Sequence, residues 1–254
     1  MLNFAIETAR AAGNLLLEKY GRISHITKKG DYNLVTEADL ASEALIIERI
    51  KSHHPRHMIL AEESGQTVVV GGDSKWKWII DPLDGTTNFA HGYPCFCVTI
   101  ALEHEGSVVL GVTFDPTRNE LFTAEKGQGA SLNFKPIRVS STEKLSESLI
   151  VTGFPYGFKD KPDFARHFTA FLLGSRGVRR DGSAAIDLAY VACGRFDGFW
   201  EEGLNPWDIA AGVLMIEEAG GRVSRYDGAR LNIYEPPICA TNGAIHEEML
   251  SVLS

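Results

Sequence analysis

The sequence predicts an α+β protein, and three observations carry that expectation. Two helix-periodic stretches open the chain, three strand-like runs with tight turns fill 96–124, and the second half alternates helical and strand-like segments. A chain of 254 residues can bury a large core, in one domain or in two closely packed halves. Composition turns polar at Arg138-Val139-Ser140-Ser141-Thr142-Glu143-Lys144, which sets a boundary near 138 and divides 1–138 from 139–254.

The first helix spans 2–20, with Phe4, Ile6, Ala9, Gly13, Leu16 and Tyr20 at helical spacing and Gly21 placed as its stop. Thr36 with Asp39 three residues on resembles a capping box, so a second helix runs to about Ile50 with Leu40, Ala44, Ile47 and Ile50 inward. His53, His54 and His57 around Pro55 read as a surface loop. Met58–Ala61 is a short strand that delivers Glu62 and Glu63, and 67–70 and 75–80 are strands separated by Gly71-Gly72-Asp73. Residues 96–105, 107–114 and 120–124 form an antiparallel meander with Val98, Ile100 and Leu102 on one face. In the second half, 149–153 is a strand, Phe154-Pro155-Tyr156-Gly157-Phe158 an aromatic loop, and 163–173 a helix. Arg179–Ala189 passes from loop to helix, its small run Gly182-Ser183-Ala184 suiting either close helix packing or a hydroxyl-rich ligand, and Asp187 one turn on faces solvent. Phe196–Glu201 is a strand, Asp208 opens a helix that continues to Glu218, and two strands (222–224, 238–240) and a helix (244–253) complete the chain.

The formal charge of −8 argues against a nucleic-acid footprint, so no direct nucleic-acid partner is expected. No apolar run reaches membrane-spanning length, and the start Met1-Leu2-Asn3-Phe4 lacks a basic, signal-like character, which predicts a cytoplasmic protein with no membrane partner. Cys95, Cys97, Cys193 and Cys239 show no zinc spacing and are expected as buried, reduced thiols.

One stretch organises the rest: Trp78-Ile79-Ile80-Asp81-Pro82-Leu83-Asp84-Gly85-Thr86-Thr87-Asn88-Phe89. The strand is expected to break at Asp81-Pro82, Gly85 to let backbone approach a ligand, and Thr86 and Thr87 to cap a helix whose start suits a phosphate. Two hard carboxylates beside an anion site call for a cation between them, and oxygen ligands suit Mg2+. A bare Asp-x-x-Asp-Gly is equally an acidic surface turn. The intact stretch, however, resembles the signature of the inositol monophosphatase family of metal-dependent phosphatases. Further motifs of that family follow in order: Val35, Thr36 and Asp39, with Asn33 where members carry Asp; Glu62-Glu63-Ser64; Gly182-Ser183-Ala184-Ala185; and Trp207-Asp208-Ile209-Ala210-Ala211-Gly212.

The resemblance covers roughly 4–250 and implies a layered α/β/α/β/α sandwich, with two helices covering an N-terminal antiparallel sheet and a mixed C-terminal half. It implies hydrolysis of inositol monophosphate by a water activated on two or three Mg2+ ions. Glu62, Asp81 and the Leu83 carbonyl would hold the first ion; Asp81, Asp84 and Asp208 the second. Thr86, near Glu62, would orient the water, and Gly85 and Thr86 N–H groups would meet phosphate oxygens. Asp84, Gly182, Ser183, Ala184, Glu201 and Asp208 would contact substrate. A homodimer and inhibition by Li+ are also implied. Fructose-1,6-bisphosphatase, histidinol phosphatase and a regulatory protein-binding role in transcription are the alternatives. Only nineteen positions separate Glu62 from Asp81, whereas relatives that act on 3'-phosphoadenosine 5'-phosphate carry a longer insertion, so a small sugar or polyol phosphate is expected.

Overall fold

The computed structural model describes residues 1–22, 26–29, 33–67, 75–154, 162–235 and 237–254. Helices α1 (Leu2–Lys19) and α2 (Glu37–His53) flank a short antiparallel pair, β1 (Ile26–Lys29) and β2 (Asn33–Thr36). Strands β3 (Met58–Ala61), β4 (Gly65–Thr67) and β5 (Trp76–Asp84) precede the short helix α3 (Thr86–Ala90). A meander follows: β6 (Cys97–His104), β7 (Ser107–Asp115), β8 (Glu120–Glu125), β9 (Gly129–Leu132) and β10 (Lys135–Pro136). The second half reads β11 (Leu149–Thr152), α4 (Pro162–Gly174), β12 (Gly177–Arg179), α5 (Ala184–Ala192), β13 (Gly198–Glu201), α6 (Pro206–Glu218), β14 (Arg222–Ser224), β15 (Ile238–Thr241) and α7 (His246–Leu253).

An eight-stranded sheet has the order β10-β9-β8-β7-β6-β5-β3-β4, and a five-stranded sheet has β12-β11-β13-β15-β14. The large sheet is antiparallel except for the β3–β5 pair, a parallel pairing that local hydrophobic pattern does not announce. In the small sheet β11 runs parallel to β12 and β13, and the other pairs are antiparallel.

Side-chain alternation builds the layers. Trp78, Ile80, Val98, Ile100 and Leu102 pack with α1 and α2, while Ile79, Ala101 and Phe122 point the other way onto α5 and α6. The small sheet repeats the rule: Val151 and Phe199 face α5 and α6, and Ile150 and Trp200 face Phe171 of α4 and Met249 of α7. The order is therefore helices, large sheet, helices, small sheet, helices, the five-layer sandwich that the resemblance implied. With both faces covered, central strands such as β5 and β6 are nearly continuous in apolar residues.

Several local expectations are corrected. In α2 the buried face holds Asp39, Ser42, Glu43, Ile46 and Ile50, whereas Leu40 is 56% exposed and Ala44 is also exposed. Polar residues face inward there because they hold the neighbouring turns: Ser42 Oγ donates to the Pro82 carbonyl (2.8 Å), and Glu43 accepts from Glu63 N–H (2.8 Å). Hydropathy periodicity alone points to the wrong stripe. The histidines are more than a surface loop: His54, His57, Trp76 and His104 form a run of stacked rings. The β1–β2 pair, the β9–β10 hairpin and β12 were not anticipated. Residues 68–74 and 155–161, with the turn at Gly71 and most of the aromatic loop, lie outside the described residues. Among the described residues no helix is long and apolar enough to cross a membrane.

Candidate metal-dependent active site

The acidic residues converge because of how β5 ends. The strand does not stop at Asp81: Asp81 lies opposite Thr99, and the next pair joins Asp84 to Cys97. Three steps along β5 thus match two along β6, which is a one-residue bulge. Pro82, which has no N–H to donate, is tolerated at such a position. Residues three apart on a regular strand face opposite ways; the extra residue restores an even spacing, so Asp81 and Asp84 can share a side. Glu62 joins them from the parallel neighbour, where β3 ends with Ala61 opposite Ile80 and Glu62 N–H reaches the Ile80 carbonyl (3.3 Å).

Asp208 arrives from the far side of the core. It is the third residue of α6 rather than its cap. Asn205 occupies the cap, Pro206 follows, and Asp208 Oδ2 accepts from Asn205 N–H at 2.6 Å. Asp84 ties β5 to α5: its Oδ2 accepts from Ser183 Oγ (2.5 Å) and Ala185 N–H (2.8 Å). This places the Gly182–Ala184 segment against the acids.

Gly85 caps α3 with φ +94°, a left-handed conformation, and an added Cβ would sit 2.8 Å from the Cys95 carbonyl oxygen. Thr86 and Thr87 do not cap the helix. Instead the Thr86 hydroxyl lies 2.9 Å from Asp39 Oδ1 and 3.1 Å from the Leu83 carbonyl, donating to one or the other. Asp39 closes the predicted capping box through its other oxygen, which accepts from Thr36 N–H at 2.8 Å. Asn88 Nδ2 donates to the carbonyls of Cys95 and Asp181 (both 2.8 Å), fixing α3 to the loop before Gly182. Sequence reasoning assigned neither the Asp39–Thr86 bond nor the Asn88 clamp, since both join residues far apart in the chain.

Electrostatics follow from this crowding. Asp81 is 2% exposed, and its carboxyl is held well above the usual range by burial and then by Glu62, Asp84 and Asp208. Burial pushes Asp208 up to about 7, against the Asn205 hydrogen bonds. Asp84 is raised by burial, with Ser183 and Ala185 opposing. Glu201, at the end of β13, is pushed up to about 8 by burial, then by Asp208 and Asp84, although Gly153 N–H donates to it. Gly153 has no room for a Cβ because the Glu201 carboxylate occupies that space.

This donor set fits Mg2+. It is all oxygen, it is anionic, and its members oppose each other's ionisation, which a bound cation reverses. Asp81 accepts from Leu83 N–H through Oδ1, and Asp208 accepts from Asn205 through Oδ2. Among the described residues no three His, Cys, Asp or Glu side chains are gathered closely enough to chelate an ion as they stand. Asp187 departs from expectation: it is buried, not facing solvent. All four cysteines are free, and Cys95, Cys97 and Cys239 are buried as expected, while Cys193 is half-buried. The Asn33 side chain lies outside the described set.

The model of the family described as "Inositol monophosphatase family" matches residues 1–254. The chain belongs to the inositol monophosphatase family. It is similar to "Inositol-1-monophosphatase" of Synechocystis, with 49% identity over all of this chain and 88% of that protein. It is also similar to "Nus factor SuhB" of Escherichia coli, with 44% identity over 99% of this chain and 94% of that protein. Among solved structures, "Inositol monophosphatase from Anabaena" superposes with a TM-score of 0.89 at 47% identity, covering 99% of this chain and 94% of that one. Membership makes the chain a phosphoric monoester hydrolase with Mg2+ as its cofactor.

The relatives correct one expectation. Several of them, at 41% to 44% identity, carry the name "Nus factor SuhB", a transcription-related name, which overturns the expectation of no nucleic-acid partner. Net charge sums over the whole surface and does not report a local contact.

Proposed function

We propose that this chain hydrolyses inositol monophosphate to inositol and phosphate, with the phosphate held at the Glu62, Asp81, Asp84 and Asp208 end of β5. The observation that carries the reading is the convergence of these four acids from three elements beside the Asp39–Thr86 hydrogen bond. Glu62, Asp81, Asp84, Asp208 and the Leu83 carbonyl are the groups to hold Mg2+. When bound, Mg2+ supplies a water of lowered pKa and neutralises charge on the phosphate and leaving oxygen.

The chain's own part is positional. With its proton directed at Asp39, the Thr86 oxygen presents a lone pair to an attacking water and fixes its orientation. Backbone N–H groups of Gly85 and Thr86 meet the phosphate oxygens as charge develops. Ser183, Ala184 and Glu201 receive the polyol hydroxyls; a Glu201 carboxyl near its titration point can donate or accept there. No side chain becomes phosphorylated.

The free cysteines support a reducing, cytoplasmic setting, and the exposed Leu172 and Leu173 on α4 support a homodimer. Following the sequence boundary, 1–138 supplies most metal ligands, and 139–254 supplies Asp208 and the substrate contacts. A second reading, a role in transcription beside catalysis, is favoured by the name Nus factor among relatives.

A panel of inositol monophosphate, fructose 1,6-bisphosphate and histidinol phosphate, each with and without Mg2+, tests the reading. The highest Mg2+-dependent kcat/KM is expected on inositol monophosphate; a higher value on either rival overturns the substrate assignment. Absence of Mg2+-dependent turnover on all three favours the transcription role alone.

A further inference from the structure

Asp187 stands in the first turn of α5, between Ile186 and Leu188, and is 1% exposed. Neither of its carboxyl oxygens has a hydrogen-bond partner, and among the described residues no other buried carboxyl is left so. Such a group is costly to fold around. An ionised carboxylate without a partner is disfavoured in the interior, so it is held neutral, and even the neutral acid wastes a donor and an acceptor. An apolar or amide side chain of similar size would cost less.

Its surroundings indicate where a partner comes from. Helical side chains lean toward the N-terminus, so Asp187 is directed back at the turn that carries Gly182 and Ser183. Four charged groups act on it: Asp181 of that turn, Glu201 of β13, Asp84 of β5 and, alone in the favourable direction, Arg180. Arg180 acts on Glu201 in the same sense. Its guanidinium rests 4.9 Å from the centre of the Phe154 ring, and Nη1 lies where a Cβ on Gly182 would be only 2.7 Å away. Phe154 adjoins Gly153, whose N–H donates to Glu201. The guanidinium therefore lies beside the turn that precedes Asp187 and on the ring that follows Gly153.

We infer that Asp187 is a positioning residue of the polyol face, and that the Arg180 guanidinium moves from Phe154 onto the Asp187 and Glu201 carboxyls when a polyol phosphate is bound. A cation resting on an exposed ring is worth only about 0.5–1 kcal/mol, so release is cheap. Substrate covering the Gly182–Ala184 segment excludes water, which strengthens an ion pair beneath it. As the pair forms, Asp187 gives its proton to solvent. The strap thereby holds the segment against the substrate hydroxyls. This inference rests on the polyol phosphate reading proposed above.

The test uses the full chain as D187N, R180Q, R180K and the D187N/R180Q double variant, with the phosphate ester that the wild type turns over best. Thermal melting in EDTA without substrate should show D187N no less stable than wild type. KM should rise on the order of tenfold in D187N and in R180Q, with kcat within about twofold, and R180K should recover part of the loss. The double variant should be no worse than either single one, since both break one pair. Multiplicative KM losses, or a D187N protein that loses melting temperature and kcat together, would overturn the inference. If the best substrate is not inositol monophosphate, that assignment fails while this comparison still decides the role of Asp187.

Discussion

Replacing Glu201 by Gln should stabilise the metal-free chain while impairing it as an enzyme. The Glu201 carboxyl is buried at the end of β13 and pushed up to about 8 from an ordinary 4.5. The folded form therefore binds this proton more tightly than the unfolded form. Stability from the group is complete below the unfolded value and is lost as pH rises through about 8. The span of about 3.5 units at about 1.36 kcal/mol each sets an upper bound of about 5 kcal/mol, and the step from pH 5 to pH 7 alone is about 3 kcal/mol. Gln keeps the shape and can still accept from Gly153 N–H, but it does not titrate. Urea unfolding in EDTA should show E201Q gaining on wild type progressively from pH 5 to pH 8. Turnover of the polyol phosphate should fall, because a carboxyl that can donate or accept is replaced by a fixed amide. Parallel pH-stability curves for the two proteins, or an E201Q protein less stable at every pH, would refute the argument.

Gly85→Ala should cost about 1–2 kcal/mol for the left-handed conformation alone, and more for the contact with the Cys95 carbonyl; thermal melting measures it. Asp39→Asn should cut kcat more than KM if Asp39 directs the Thr86 proton, whereas Thr86→Ser should keep most of the rate; steady-state kinetics compares them. His246, buried between Ser224 and Thr241, is lowered to about 4, so the stability it contributes is present above about 6.5 and lost as pH falls toward 4. His246→Gln should flatten that part of the acid unfolding curve. Li+ should inhibit turnover uncompetitively, and a purely competitive pattern would contradict occupation of the Asp84–Asp208 side after hydrolysis.

Much of this was legible in the sequence because it was local. The capping box at Thr36 and Asp39, the meander from 97 to 125 and the acids at 81 and 84 each lie within a few residues of their cause. What escaped was set by distant partners. The buried polar face of α2 exists because Ser42 and Glu43 hold turns some twenty to forty residues away. Thr86 is of a capping residue type, but its hydroxyl lies between Asp39 and the Leu83 carbonyl. Asp187 looked like a solvated helix residue because its neighbours in sequence say nothing of the sheet and loops that bury it. The bulge in β5 escaped for a different reason: Pro82 signals a break, and only pairing with β6 reveals that the strand resumes.

On the proposed reading, Glu62, Asp81, Asp84 and Asp208 together hold the Mg2+ that drives phosphate ester hydrolysis. The most direct measurement pairs calorimetric Mg2+ titration with phosphate release from inositol monophosphate, for wild type and Asp81→Asn. Asp81 faces Glu62, Asp84 and Asp208 at once, so its loss as a charge should weaken Mg2+ binding and abolish nearly all turnover together. Wild-type Mg2+ affinity and near wild-type turnover in Asp81→Asn would contradict the account.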